Sequence, residues 1–221
     1  MVSVFHRQDA PGLEDQGPSP DDPASLDQFW RAPAEATAWT TASVSAGPVT
    51  PLADEILLGT AGDDVLRGDN GRDQLFGFRG DDRLIGGAGA DRLHGGGGDD
   101  VLIGGLGADR LSGGGGADLF IFRLVEGSQP GAALRDRIGD FSRSEGDRID
   151  LSAMDANTNL AGDQAFVLGG GSFTGQAGEL IQFLDFSRWT ILAGDIDGDG
   201  QADFELAFRG TLSLIETDFL L

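Results

Sequence analysis

Aspartate recurs at a fixed phase through the middle of this chain, and its companions are glycines. Read in ninths from Gly59, residues 59–121 run GTAGDDVLR, GDNGRDQLF, GFRGDDRLI, GGAGADRLH, GGGGDDVLI, GGLGADRLS and GGGGADLFI. The sixth position is Asp64, Asp73, Asp82, Asp91, Asp100, Asp109 and Asp118, and the first and fourth are glycine in every repeat. Carboxylates and backbone carbonyls are hard oxygen donors, the set that Ca²⁺ takes in groups of about six to eight. Mg²⁺ suits it less, because it demands a tighter octahedron and gives up water reluctantly. Glycine adopts backbone angles that other residues resist. The first six residues of each repeat can therefore turn sharply and aim carbonyl oxygens at the centre the aspartate reaches. A flexible glycine linker would not hold Asp in phase.

The elements that must position these acids follow from the eighth position, which is Leu66, Leu75, Leu84, Leu93, Leu102, Leu111 and Phe120. The last three residues of each repeat predict a short strand with that apolar side chain facing inward. Two nonapeptides then make one coil with a turn on each side, and coils stack about 4.8 Å apart, as hydrogen-bonded strands do. At that spacing one ion can sit between the turns of repeats n and n+2, and seven repeats allow at most five such pairs. Carboxylates ~5 Å apart repel by roughly 1 kcal/mol even at the dielectric of water, and by more when desolvated. A thin row of leucines is too little to hold such a column closed. Folding coupled to metal binding is the expectation.

Three regions separate by composition: 1–54, 55–122 and 123–221. The first is rich in Pro, Ala, Asp and Ser without sustained periodicity and is expected to be disordered or weakly structured. A short helix over Ser25–Arg31, capped by Ser25 or Asp27, fits its sequence, and Phe29, Trp30 and Trp39 are its side chains able to dock elsewhere. In the last region the runs 120–122, 164–168, 180–184, 189–192, 204–208 and 212–215 alternate or cluster apolar residues between Gly, Asn and Asp turns. They predict short antiparallel strands, with a helix or turn near 151–156 capped by Asp150 or Ser152.

The formal net charge of −22 and the 37 glycines are extreme for 221 residues. Such acidity repels nucleic acid and anionic membrane surfaces; its plainest alternative meaning is a solubilising surface. Cysteine is absent, excluding disulfides, thiolate metal sites and thiol catalysis. No apolar run reaches membrane-spanning length. Residues 1–10 lack the hydrophobic stretch of a secretory signal peptide, so export is expected to use another route.

The nonapeptides resemble the calcium-binding repeats of RTX (hemolysin-type) proteins, glycine at one, two and four and aspartate at six. That family places one ion between two stacked turns, with carbonyls one and three plus Asp from one turn and carbonyls two and four plus Asp from the other. Carried over, the resemblance implies a site of Gly86, Ala88 and Asp91 with Gly105, Gly107 and Asp109. In the reverse order the set is Gly87, Gly89 and Asp91 with Gly104, Leu106 and Asp109. A second site would join Gly95, Gly97 and Asp100 to Gly114, Gly116 and Asp118, with Gly96 and Gly98 the carbonyl donors of that turn in the reverse order. Thr60, Asp69 and Phe78 depart from glycine at position two, which favours the later sites.

From Leu57 to Leu221 the chain also resembles the C-terminal domain of serralysin-type (M10) secreted metalloproteases. The carrying segments are 118–122, 136–141, 146–152, 161–166, 173–180, 194–204 and 218–221. The resemblance implies an all-β fold, a parallel β-roll closed by a short-stranded, antiparallel, sandwich-like cap. It also implies a secreted, extracellular, monomeric protein, with Asp218, Phe219, Leu220 and Leu221 as the ending read by a type I (ABC-transporter) secretion system. Low cytoplasmic Ca²⁺ would keep the repeats unfolded for export, and extracellular Ca²⁺ would fold them. The same ending also reads simply as a last edge strand.

Asp195, Asp197, Asp199 and Asp203 match the opening of an EF-hand loop, but its twelfth position is Leu206 rather than Glu; it is a further calcium site or a hairpin turn. The zinc motif HExxH is missing, since the only histidines are His6 and His94. Ser172 lies in GGSFTG, which is no nucleophile elbow. Carboxylate pairs could serve glycoside chemistry, but the repeat register already accounts for them. The sequence therefore reads as a non-catalytic calcium-binding protein. The alternative is a detached C-terminal part of a secreted hydrolase, either a metalloprotease or a polysaccharide epimerase or lyase.

Overall fold

The computed structural model describes residues 3–6, 54–123 and 127–221. The expected disorder of 1–54 and the helix over Ser25–Arg31 lie outside the described residues, apart from residues 3–6 and 54.

Strand alternation sends every eighth-position residue inward. The strands are β1 (Ser3–His6), β2 (Glu55–Leu58), β3 (Val65–Arg67), β4 (Gln74–Arg79), β5 (Arg83–Ala88), β6 (Arg92–Gly97), β7 (Val101–Leu106), β8 (Arg110–Gly115) and β9 (Leu119–Ile121). They continue as β10 (Asp136–Ile138), β11 (Arg148–Asp150), β12 (Val167–Leu168), β13 (Glu179–Leu184), β14 (Trp189–Asp195), β15 (Phe204–Arg209) and β16 (Phe219–Leu220). Successive repeats alternate between two sheets. The first sheet has the order β1-β2-β4-β6-β8-β10-β15-β14-β13-β12 and the second β16-β11-β9-β7-β5-β3. Within the repeats pairing is parallel at an offset of eighteen residues, Leu75 with Leu93 and Leu93 with Leu111. Leu66, Leu84 and Leu102 do the same in the second sheet.

Leu57, Leu75, Leu93, Leu111 and Ile138 from one sheet face Leu66, Leu84, Leu102, Phe120 and Ile149 from the other, all 0–1 % exposed. Each such side chain contributes about 1.5–3 kcal/mol of burial. Phe141 joins this row to the cap, its ring 6.5 Å from Phe120 and 5.7 Å from Phe208.

The repeat strands are longer than the last third of a nonapeptide. β4 to β8 are each six residues and take in positions one to three of the next repeat. The ladder persists because the position-three carbonyl accepts the position-four amide of the coil before, Gly71 to Ala88 at 2.9 Å and Gly89 to Leu106 at 2.8 Å. The sharp turn is therefore confined to positions four to six.

The roll does not end with the repeats. β10 and β11 add parallel strands to the two sheets, against β8 and β9. β15 and β16 follow, again parallel. The expected antiparallel cap is the meander β13–β14–β15, hydrogen-bonded onto the first sheet through β15. Of the expected strands, 164–168 shrinks to Val167–Leu168, which pairs parallel with β13. Residues 212–215 form none. Their amides are held by side chains instead, Leu212 N–H by Thr190 Oγ1 and Leu214 N–H by Gln182 Oε1, both at 2.8 Å. Residues 151–156 form turns, and Asp150 Oδ1 accepts from the Ser152 amide and hydroxyl.

Candidate metal centre

Each sixth-position aspartate from Asp73 to Asp118 is fixed by the coil beneath it. Along one edge of the roll, Asp82 Oδ1 accepts from the Asp64 amide and Asp100 Oδ1 from the Asp82 amide, both at 2.8 Å. Asp118 accepts from Asp100 at 2.9 Å. Along the other edge, Asp91 accepts from Asp73 and Asp109 from Asp91, again at 2.8 Å. A period of eighteen residues converts a sequence phase into two columns of buried carboxylates.

The second oxygen of these groups is the informative one. Oδ2 of Asp73, Asp82, Asp91, Asp100, Asp109 and Asp118 is buried and has no hydrogen-bond partner. A buried unsatisfied polar atom costs about 1–3 kcal/mol, and a charged one more; native structures hold few. The first-position glycine shows what faces these atoms. A Cβ on Gly86 would lie 2.5 Å from Asp91 Oδ2 and 2.6 Å from the Gly104 carbonyl oxygen of the next coil. A Cβ on Gly95 would lie 2.2 Å from Asp100 Oδ2 and 2.7 Å from the Gly113 carbonyl oxygen. A carboxylate oxygen from one coil and a carbonyl oxygen from the next converge on each of these glycines, too close to admit any side chain there.

The charge state agrees. Burial pushes Asp91 and Asp100 up to about 6, Asp73 and Asp118 to about 7, and Asp109 to about 8, opposed by the amide hydrogen bond. Neighbouring carboxylates add to the rise. Asp82 moves in the same direction, again chiefly by burial. Only a cation, or a proton, relieves that cost.

Gly87, Gly96, Gly105 and Gly114 at position two, inside the strands, and Gly89, Gly98, Gly107 and Gly116 at position four, where the turn begins, adopt positive φ. Gly105 shows why glycine is required: at φ 111° its Cβ would lie 2.0 Å from the Gly87 carbonyl oxygen. The carbonyls of Ala88, Gly97 and Leu106 each accept one amide of the coil before, which leaves each oxygen a further lone pair.

The first repeat differs. Asp64 Oδ2 accepts from the Thr60 amide at 2.6 Å and from its hydroxyl at 2.8 Å. Asp69 and Phe78 occupy position two at φ 68° and 79°, a conformation costing a non-glycine residue roughly 1–2 kcal/mol.

Sequence reasoning missed two members of the columns. Asp136 Oδ1 accepts from the Asp109 amide at 2.7 Å, and Asp147 Oδ1 from the Asp118 amide at 3.0 Å. Burial raises both above the usual carboxylate range, with Asp109 adding to the rise at Asp136. The signal was present: Asp136-Arg-Ile and Asp147-Arg-Ile repeat the pattern of Asp91-Arg-Leu. The spacing hid it, having grown from eighteen residues to 27 and 29.

In the loop between β14 and β15, ligand atoms of Asp195, Asp197 and Asp203 lie within 4.8 Å of one another. Asp199 turns away and accepts from the amide and side chain of Gln201. Asp195 accepts from the Gly198 and Gly200 amides, and Asp203 from the Ile196 amide. Leu206, at the position of the missing Glu, is buried in β15.

His94 Nδ1 lies 3.1 Å from Ser112 Oγ, which donates to Asp140 Oδ2 at 2.5 Å. At the C-terminal end, Asp218 accepts from Arg143 Nε and Nη2, both at 2.5 Å. Burial alone would raise Asp218, but the Arg143 bonds hold it below its ordinary range. Phe219 and Leu220 form the last strand of the second sheet.

Stacked parallel coils with an acid column at each edge define a β-roll of the nonapeptide-repeat class. The family model described as Peptidase M10 serralysin C terminal matches residues 58–221, and the chain belongs to this family. The matched region is the non-catalytic C-terminal part of those peptidases, whose repeat domains bind Ca²⁺ and belong to secreted proteins. Among solved structures, the chain is similar to the AlgE6R3 subunit of the Azotobacter vinelandii mannuronan C5-epimerase, at 31 % identity over 82 % of this chain and 86 % of that one, with a TM-score of 0.46. The AlgE6R2 subunit of the same enzyme matches at 32 % identity over 74 % and 90 %, with a TM-score of 0.36. None of the curated proteins matches the chain. Among the described residues no helix is long and apolar enough to cross a membrane.

Proposed function

We propose that this chain is a non-catalytic, secreted calcium-binding protein whose repeats fold as Ca²⁺ enters the two carboxylate columns. The observation that carries the reading is the set of buried, partnerless Oδ2 atoms, each aspartate otherwise tied to the coil beneath. The ligands proposed are the sixth-position acids Asp73 to Asp118 with carbonyls of the turns at positions one to four. The convergence of oxygens at Gly86 and Gly95 supports the order in which Asp91 and Asp100 share an ion with the position-one carbonyl of the next coil, Gly104 or Gly113. Asp64 contributes least, because Thr60 already holds its second oxygen. Residues 55–122 act as the calcium unit and 123–221 as the terminating unit.

Export by a type I system through Asp218–Leu221 belongs to the same proposal. In the folded chain Phe219 and Leu220 pair with β11 and Asp218 is held by Arg143, so a transporter would read the ending only before folding. Calcium titration by calorimetry with far-UV circular dichroism tests the central reading. A cooperative gain of β signal with Ca²⁺, but not with equal Mg²⁺, is expected. A full native spectrum in excess chelator at neutral pH, or no heat of binding, refutes it. Family membership supports a second reading, an accessory to a separate M10-type hydrolase. Casein hydrolysis appearing only on mixing with a zinc-bearing partner would establish it.

A further inference from the structure

The turn between β13 and β14 holds apolar surface out into solvent. Phe186 at its apex is 110 % exposed, Leu184 53 % and Phe183 40 %. Single exposed apolar residues are ordinary, but neighbours clustered at one hairpin end make a patch that marks a contact surface. Phe183 and Leu184 are the last residues of β13, and Phe186 stands on residues 185–188, between the strands.

Side chains fix the turn in this form. Asp185 Oδ1 accepts from the Ser187 and Trp189 amides, both at 2.9 Å. Asp185 Oδ2 accepts from Arg135 Nη2 at 3.1 Å, and Nη1 of that buried guanidinium donates to Glu205 Oε2 at 2.8 Å. Arg188 closes the turn at φ 63°, in the left-handed region that a residue with a Cβ enters only at a cost. Strain of that kind persists where surrounding contacts over-determine it, and it clusters at functional sites. The apex is therefore presented in one conformation, with little ordering left to do on contact.

Charge sets this end of the cap apart in a chain with 15 basic and 37 acidic residues. Its acids Asp185 and Glu205 are both engaged by Arg135. Arg188, in the turn, and Arg209, opposite Trp189 in register, are exposed. Among the described residues neither has an ion-pair partner. The nearest repeat strand of the same sheet, β8, is three strand spacings from β14, ~14 Å, beyond the Debye length of about 8 Å. The carboxylates of the repeats therefore do not cancel the field of these two guanidinium groups.

A convex apolar apex with cations behind it selects its partner. A protein would need a deep pocket of matching shape to receive Phe186, whereas a fluid acyl layer receives it without one. Guanidinium groups bind phosphate oxygens, and arginine and tryptophan settle at headgroup level with their apolar parts inward. The net charge of −22 repels an anionic surface, so the layer that fits carries phosphate without net charge. We propose that the β13–β14 turn docks the folded chain on a zwitterionic phospholipid surface. Phe186 and Leu184 enter the edge of the acyl layer, and Arg188 and Arg209 take the phosphates. The contact is peripheral and reversible, weaker than the ~10⁴ M⁻¹ of a single myristoyl chain. It stands on the cap alone, independently of the calcium reading.

The test uses the full, calcium-saturated chain with phosphatidylcholine vesicles, read by co-sedimentation. In the W30F/W39F variant Trp189 reports alone, through quenching by acyl-brominated phosphatidylcholine. Binding with quenching is the expected result. It should fall about tenfold in F186D, since such binding scales with buried apolar area, and several-fold in R188Q/R209Q. Phe186 is fully exposed, so F186D leaves the fold and every proposed calcium ligand in place. Undiminished binding in that variant would mean calcium bridging between surface acids and phosphate, and overturns the proposal. Unchanged binding in R188Q/R209Q overturns the phosphate contact, and binding that strengthens as phosphatidylserine is added overturns the zwitterionic preference. No binding to any vesicle overturns the whole and leaves the apex to a protein pocket.

Discussion

Replacing Asp91 by Asn should change stability in opposite directions with and without calcium. The side-chain amide oxygen can still accept from the Asp73 amide, so the 2.8 Å bond survives. The charge is lost, and in place of the partnerless Oδ2 stands an NH₂ group on the side of Gly86 that the Gly104 carbonyl also faces. In the metal-free chain Asp91 is raised from 3.8 to about 6 by burial. A carboxyl raised on folding binds its proton more tightly in the folded state, so stability is greatest at acid pH and falls as pH rises from about 4 through about 6. At pH 7.5 that loss would be at most ~3 kcal/mol, and water at the turn reduces it to about 1–2 kcal/mol. Asp91→Asn should recover this amount in chelator. In calcium it removes an anionic ligand and should weaken binding at that column at least tenfold, about 1.4 kcal/mol. The assay is urea unfolding followed by far-UV circular dichroism in chelator and in saturating Ca²⁺, with an osmolyte added to both to bring the metal-free transition into range. An Asn variant less stable than the parent in both media, or indifferent to calcium in the same degree as the parent, would refute the reasoning.

Acid should substitute in part for calcium. With Asp73 and Asp118 near 7 and Asp109 near 8, lowering the pH of the chelated chain from 8 toward about 5 protonates buried carboxyls and should raise its β signal in circular dichroism; no gain refutes this. Gly105→Ala should destabilise the loaded roll by about 1–3 kcal/mol, since φ 111° is strained for alanine and its Cβ would meet the Gly87 carbonyl at 2.0 Å. Gly115→Ala, with nothing within 4 Å, should stay near neutral in the same thermal melts. Asp136→Ala should cost about 1–3 kcal/mol by leaving the buried Asp109 amide unpaired, although Asp136 lies outside the repeats. Calorimetry should then show weaker calcium binding on the Asp73–Asp91–Asp109 edge alone.

Much of the roll was legible because its period is strict. Leucine at every eighth position and glycine at the first and fourth leave one coil geometry, so the parallel pairing and core row follow from phase alone. Legibility failed where long-range contact replaced local pattern. The Asp136 and Asp147 positions escaped because insertions lengthened their coils, and only stacking returns them to the columns. Residues 212–215 carry the alternation of a strand, yet Thr190 and Gln182 satisfy their backbone first.

The identity of the ligating groups, hard oxygens with a demand for a divalent cation, was set by the sequence itself, because residue type and spacing hold without knowledge of the fold. Which oxygens remain unsatisfied was decided only by tertiary structure. Each sixth-position aspartate from Asp73 to Asp118 spends one oxygen on an amide eighteen residues away, and that distant bond leaves the other buried and in need of a cation.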